Sequence, residues 1–102
     1  MVRLNWTIQA LDDLDAVCEF IARDAPRYAQ IFAIRVFEVV DRLEAFPLSG
    51  RVVPEIERED VREIIFGSYR IVYRLANNEI DIVTVHHSSK LLDLSKVIPL
   101  TI

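Results

Sequence analysis

The feature that most constrains this chain is a change of hydrophobic period at Pro47-Leu48-Ser49-Gly50. Upstream, apolar residues recur every three or four positions, as on helices that bury one face. Downstream, they alternate and are punctuated by two-residue turn signals, as in antiparallel strands. Helices first and strands afterwards imply an α+β domain in which a helical hairpin covers one face of a sheet.

The chain opens with alternation over Val2, Leu4 and Trp6, a short strand. Thr7 offers an N-cap hydroxyl, and Leu11, Leu14, Cys18 and Ile21 form the stripe of a helix that ends near Asp24. Asp12 and Asp13 are placed early, where the helix dipole favours carboxylates, and with Asp15 read as solvated acids. Pro26 suits the first turn of a second helix, with a stripe of Tyr28, Phe32, Val36, Val39, Leu43 and Phe46. Ile34 and Phe37 fall on its opposite side, which points to a protein partner. Arg51 to Asp60 reads as an acidic loop. Three strands then form a meander, through Gly67-Ser68 as a type II′ turn and Asn77-Asn78 as a type I′ turn. The order is β-α-α-β-β-β in one domain, residues 1–102. One core is expected, from Leu14, Ile21, Phe32, Val36, Leu43, Ile64, Ile71, Tyr73, Ile82 and Val85.

Composition narrows the classes. A net charge of −4, from 12 basic and 16 acidic residues, disfavours a broad nucleic-acid footprint. The lone Cys18 excludes an internal disulfide and agrees with a cytoplasmic, reducing setting. No apolar run reaches the ~20 residues of a membrane span, and the N-terminus has no signal-peptide pattern. No P-loop, GxGxxG, GxSxG or zinc-ligand spacing occurs, so neither cofactor nor metal is expected.

What remains is cationic. Ser68-Tyr69-Arg70-Ile71-Val72-Tyr73-Arg74 puts Tyr69, Ile71 and Tyr73 on one strand face and Arg70, Val72 and Arg74 on the other. Arginines on a rigid strand bind phosphate or carboxylate bidentately. With Arg62, Tyr73 and Lys90, Arg70 makes a candidate target-binding patch. His86 and His87 should project to opposite faces and so not share a site; either is a candidate proton-transfer group.

These pieces resemble the RelE/ParE superfamily of bacterial toxins. The resemblance rests on Ala10-x-x-Asp13-Leu14-x-x-Val17, Phe46-Pro47-Leu48-Ser49-Gly50-Arg51, Arg62-Glu63, Gly67-Ser68-Tyr69-Arg70-Ile71-Val72-Tyr73-Arg74 and Ile82-Val83-Thr84-Val85-His86-His87. It implies a four-stranded antiparallel sheet beside a helical hairpin. It also implies an antitoxin partner, of ribbon-helix-helix type, for which Ile34 and Phe37, opposite the core stripe, are the candidate docking positions. The target implied is either DNA gyrase, in ParE-like members, or mRNA in the ribosome, in RelE-like nucleases. Arg70 matches a phosphate-handling arginine of the nuclease branch and Lys90 falls near a later cation; some nuclease relatives use a histidine, which keeps His87 open as a candidate. The second strand offers only Arg62 beside Glu63, and no tyrosine follows Tyr73. The long hairpin and acidic balance look more like ParE; a toxin-fold subunit that only binds antitoxin is the third class.

Overall fold

The computed structural model describes residues 2–90 and Leu92. The elements are β1 (Arg3–Trp6), α1 (Ile8–Ala22), α2 (Pro26–Asp41), a 3₁₀ turn (Arg42–Glu44), β2 (Arg51–Val52), β3 (Val61–Phe66), β4 (Tyr69–Ala76) and β5 (Glu79–His87). They build a five-stranded sheet in the order β1-β5-β4-β3-β2. The β3-β4-β5 meander is antiparallel, as the turn signals require. β1 runs parallel to β5, so the sheet is mixed rather than antiparallel throughout. Parallel neighbours need a long crossover, and the helices plus the meander supply it. The extra strand β2 lies at the start of the segment read as an acidic loop, opposite Glu63 and Arg62.

Thr7 does what its type suggests. Its Oγ1 accepts the Ala10 amide at 3.1 Å, capping α1, and donates to the Ile82 carbonyl at 2.7 Å, which ties the cap to β5. Asp12 and Asp13 lie beyond the first turn of α1, which begins at Ile8 and holds no acid. In α2 the buried side is Ala29, Phe32 and Val36, continuing to Val40 and then Leu43 in the 3₁₀ turn. Tyr28 and Phe46 are exposed instead. The small Ala29 lets α1 approach, with Cys18 Sγ 3.9 Å from the Ala29 carbonyl oxygen. All ten expected core residues lie in or against the cluster between the helices and the sheet.

The opposite sheet face is not solvated. Val53, Val61, Val72, Val83 and Leu92 form a second buried cluster with Ile56 against it. Residues 53–60 thus strap over this face, and Arg70 to Tyr73 are buried consecutively. A register shift at Val72/Tyr73 accompanies this double coverage. Gly67, at φ +58°, supplies the left-handed residue of its turn, in keeping with type II′. Asn77 is left-handed but Asn78 is not, so that turn is not type I′.

Tyr73 links the layers. It is fully buried, donates to the Pro47 carbonyl at 2.9 Å and accepts the Gly50 amide at 3.0 Å. Burial raises the pKa of its hydroxyl, keeping it a neutral donor. A Cβ on Gly50 would stand 2.6 Å from Tyr73 Oη and 2.7 Å from the Glu63 carbonyl oxygen, so only glycine fits. Tyr73→Phe should lower unfolding free energy by about 1–3 kcal/mol, because it strands the buried Gly50 amide. Gly50→Ala should be destabilising by at least as much in urea denaturation; wild-type midpoints for both would disprove this linkage.

Candidate functional site

The cations expected to form one patch are divided by the sheet. Arg62 pairs in register with Tyr73 and lies on the helix side, whereas Arg70 pairs with Ile65 and His86 on the strap side. Arg62 is spent on the chain around it, donating to the Gly50 carbonyl at 2.9 Å and to the Glu59 carbonyl and carboxylate at 3.0 and 2.8 Å. Tyr73, in the core, has no surface to offer a target.

Arg70 is enclosed by two carboxylates, Glu55 and Glu63, that strand alternation alone does not mark as site residues. Its Nε donates to Glu63 at 2.5 Å, and its two terminal nitrogens donate to Glu55 at 2.6 and 2.7 Å. Only 8% of its side chain is exposed. Glu63, with no exposed side-chain surface, also receives Arg51 Nε at 2.6 Å. The ladder explains this: Glu63 stands opposite Arg51 and diagonal to Arg70 on the same face. The alternation of Glu63 with Val61 was a usable signal that this carboxylate faces inward, given any cover on that face. Hydrogen bonds from Arg70 hold the Glu55 carboxyl well below its ordinary 4.5, at about 2. The same partners push the Arg70 guanidinium further up.

The far half of β5 forms a second constellation. β1 pairs only with residues 79–82, so α1 instead borders the end of β5, and Thr84 donates to Asp13 across that edge. Asp13 is therefore an edge partner and not a solvated cap. A groove of about 750 Å³ opens there, walled by Val17, Phe20 and Tyr69 and rimmed by Arg23, His87 and Lys90. His86 and His87 do point to opposite sheet faces, yet both line this groove. It lies at the sheet edge, where both faces are reached. His87 Nδ1 accepts the Ser89 amide at 3.1 Å, so Nε2 carries the proton of the neutral ring. The ring stands edge-on to Tyr69, centroids 5.1 Å apart, and burial raises the pKa of the Tyr69 hydroxyl. His86 Nε2 lies 2.7 Å from the Lys90 carbonyl oxygen.

On the outer side of the helices, Ile34 is 60% exposed and Phe37 38%, the latter tilted against Trp6 at 4.8 Å between centroids. Ile8 and Leu11, also exposed, begin α1, beside which the end of α2 returns after the short connection at residues 23–25. Among the described residues no three potential metal ligands stand together, and no helix is long and apolar enough to cross a membrane.

A family model described as the ParE toxin of the type II toxin–antitoxin system parDE matches residues 4–92, and the chain belongs to that family. It is 33% identical over 91 residues to toxin RelE2 of Caulobacter vibrioides, covering 89% of this chain and all of that one. A solved chain of the chromosomal ParDE system from P. aeruginosa superposes with a TM-score of 0.73 at 26% identity, over 85% of this chain and 96% of that one. A YoeB/ParE toxin from Agrobacterium tumefaciens shares the fold, with a TM-score of 0.56 at 17% identity over 84% and 98% of the two chains.

Removing Arg70 should be costly whatever the target. Arg70→Ala leaves the buried Glu63 with Arg51 alone and should cost ~3–5 kcal/mol in urea denaturation. Loss of function in that variant would then report folding as much as recognition. The depressed Glu55 pKa adds stability that is fully present above pH 4.5 and lost as pH falls through about 2. An NMR titration should find the Glu55 carboxyl still ionised at pH 3.5; a midpoint near 4.5 would mean that the Arg70 fork is open.

Proposed function

We propose that this chain is a ParE-like toxin that arrests growth by poisoning DNA gyrase and is neutralised by a partner antitoxin of ribbon-helix-helix type. The observation that carries this reading is the closure of Arg70. Cleavage of RNA needs a cationic pocket for the phosphate in its transition state. Here the arginine that would supply it is paired with Glu55 and Glu63 and almost withdrawn from the surface. The match to the parDE family model and the likeness to the ParDE system from P. aeruginosa support the same branch. Target contact then falls to the exposed Lys90 and its neighbours, with Arg62 and Arg70 acting through the backbone they hold. No residue of the chain need transfer a proton. The antitoxin would lay an amphipathic helix on Ile34 and Phe37, extended by Ile8 and Leu11.

A ribosome-dependent endoribonuclease is the second reading, and one observation favours it. Glu55, Arg70 and His86 share a sheet side, a carboxylate and an imidazole flanking a guanidinium, so His86 suits proton transfer there better than His87.

Induction of the chain alone should give filamentous cells with DNA damage, and the purified protein should block gyrase supercoiling. Lys90→Glu should weaken both effects, and His87→Ala should leave them intact. Codon-specific cuts in translated mRNA that disappear with Glu55→Gln or His86→Ala would replace this reading with the second. Unimpaired growth would assign the chain to antitoxin binding alone. Ile34→Glu with Phe37→Glu should abolish co-purification of the antitoxin while leaving growth arrest in place.

A further inference from the structure

We infer that the groove between α1 and the end of β5 is a binding site for a small aromatic phosphate ester of mononucleotide size. This site lies beyond the target-binding reading above, although the two share Lys90. Its volume of about 750 Å³ is in the range of sites that enclose small organic ligands. Its lining is divided as such a ligand requires. Val17, Phe20 and Leu92 provide an apolar wall, and Phe20 is 63% exposed, leaving aromatic surface for a base to pack against. The Arg23 guanidinium lies over that ring, 5.9 Å from its centre, so a cation and an aromatic are presented together.

The polar rim carries donors for a phosphate. Among the described residues, neither Arg23 nor Lys90 takes part in an ion pair. With its Nδ1 accepting the Ser89 amide, His87 adds an Nε2–H donor. The segment bearing His87 and Lys90 is held in place, with the Lys90 amide donating to the His87 carbonyl at 3.0 Å and the Ser88 amide to the Ser68 carbonyl at 2.8 Å. Asp13, the acid of the lining, is occupied by Thr84. A compact anion suits this rim better than a polyanion, because the chain as a whole carries a net charge of −4.

The test is isothermal titration of the purified full chain with adenosine 5′-monophosphate, adenosine and inorganic phosphate, alongside amide shift mapping of the unaltered protein. The nucleotide should bind with a Kd below ~1 mM and more tightly than either fragment. Its shifts should centre on Val17, Phe20 and His87. Arg23→Glu and Lys90→Glu should each weaken it about tenfold or more, as loss of a charge-assisted contact does. Phe20→Ala should bring the nucleotide down to the affinity of phosphate. No saturable binding, equal binding of inorganic phosphate, shifts centred on the Arg70 side, or tighter binding of a single-stranded oligonucleotide would each overturn the inference. An unaltered chain that arrests growth but binds no nucleotide would remove this site and leave the toxin reading standing.

Discussion

A carboxylate with no water around it must be paired, and Glu63 is such a carboxylate. Its two arginines come from different places. Arg51 lies on β2, directly opposite, and Arg70 on β4, one diagonal step away. Meeting the charge of Glu63 therefore draws the edge strand and the central strand to the same spot. Arg70 then needs a second acceptor, and Glu55 provides one from the strap, close to Val53 and Ile56, which cover the valines of the sheet. The strap and second core thus surround a charge network whose members would be costly to bury singly. Replacing such a network with apolar side chains of similar volume is often no worse for stability, so its value here lies in register and in the placement of the strap.

That network also redistributes the chemistry of the surface. An arginine on a strand face looks like a ready-made anion site until its acceptors are counted. With Arg70 closed and Arg62 turned to the helix side, the cations that border a groove are Arg23 and Lys90, at the edge of the sheet. The edge is open because β1 is short. It pairs with the first half of β5 and stops at Trp6, where Thr7 turns the chain into α1. One cap residue therefore sets where the sheet ends and where the groove begins.

Local chemistry made much of this legible in advance. Thr7 as a cap, Pro26 at the head of α2, Gly67 in a tight turn and the ten core positions each follow from a residue type and a spacing that leave few alternatives. The helix faces were read less well at Tyr28 and Phe46, since large side chains dominate a hydrophobic stripe by eye while small ones such as Ala29 decide how closely helices approach. The site was read least well. Arg62, Arg70 and Tyr73 were correct as inhabitants of the strands, yet their roles depend on acceptors such as Glu55 and Pro47, 15 and 26 residues away from Arg70 and Tyr73 respectively.

What the amino-acid sequence determined by itself is the order of the helices and of the long strands, the helix-facing core and the kinship to a toxin family. All three rest on short-range periodicity and on motifs that survive without knowledge of long-range contacts. Tertiary structure alone decided that β1 runs parallel to β5, that the second sheet face is covered, and that His86 and His87 reach one groove from opposite faces. It also decided that Arg70 is closed. Period-two alternation says which residues share a strand face, but not what lies over that face. Only the path of residues 53–60 across the sheet turns an apparent basic surface into a buried ion-pair network.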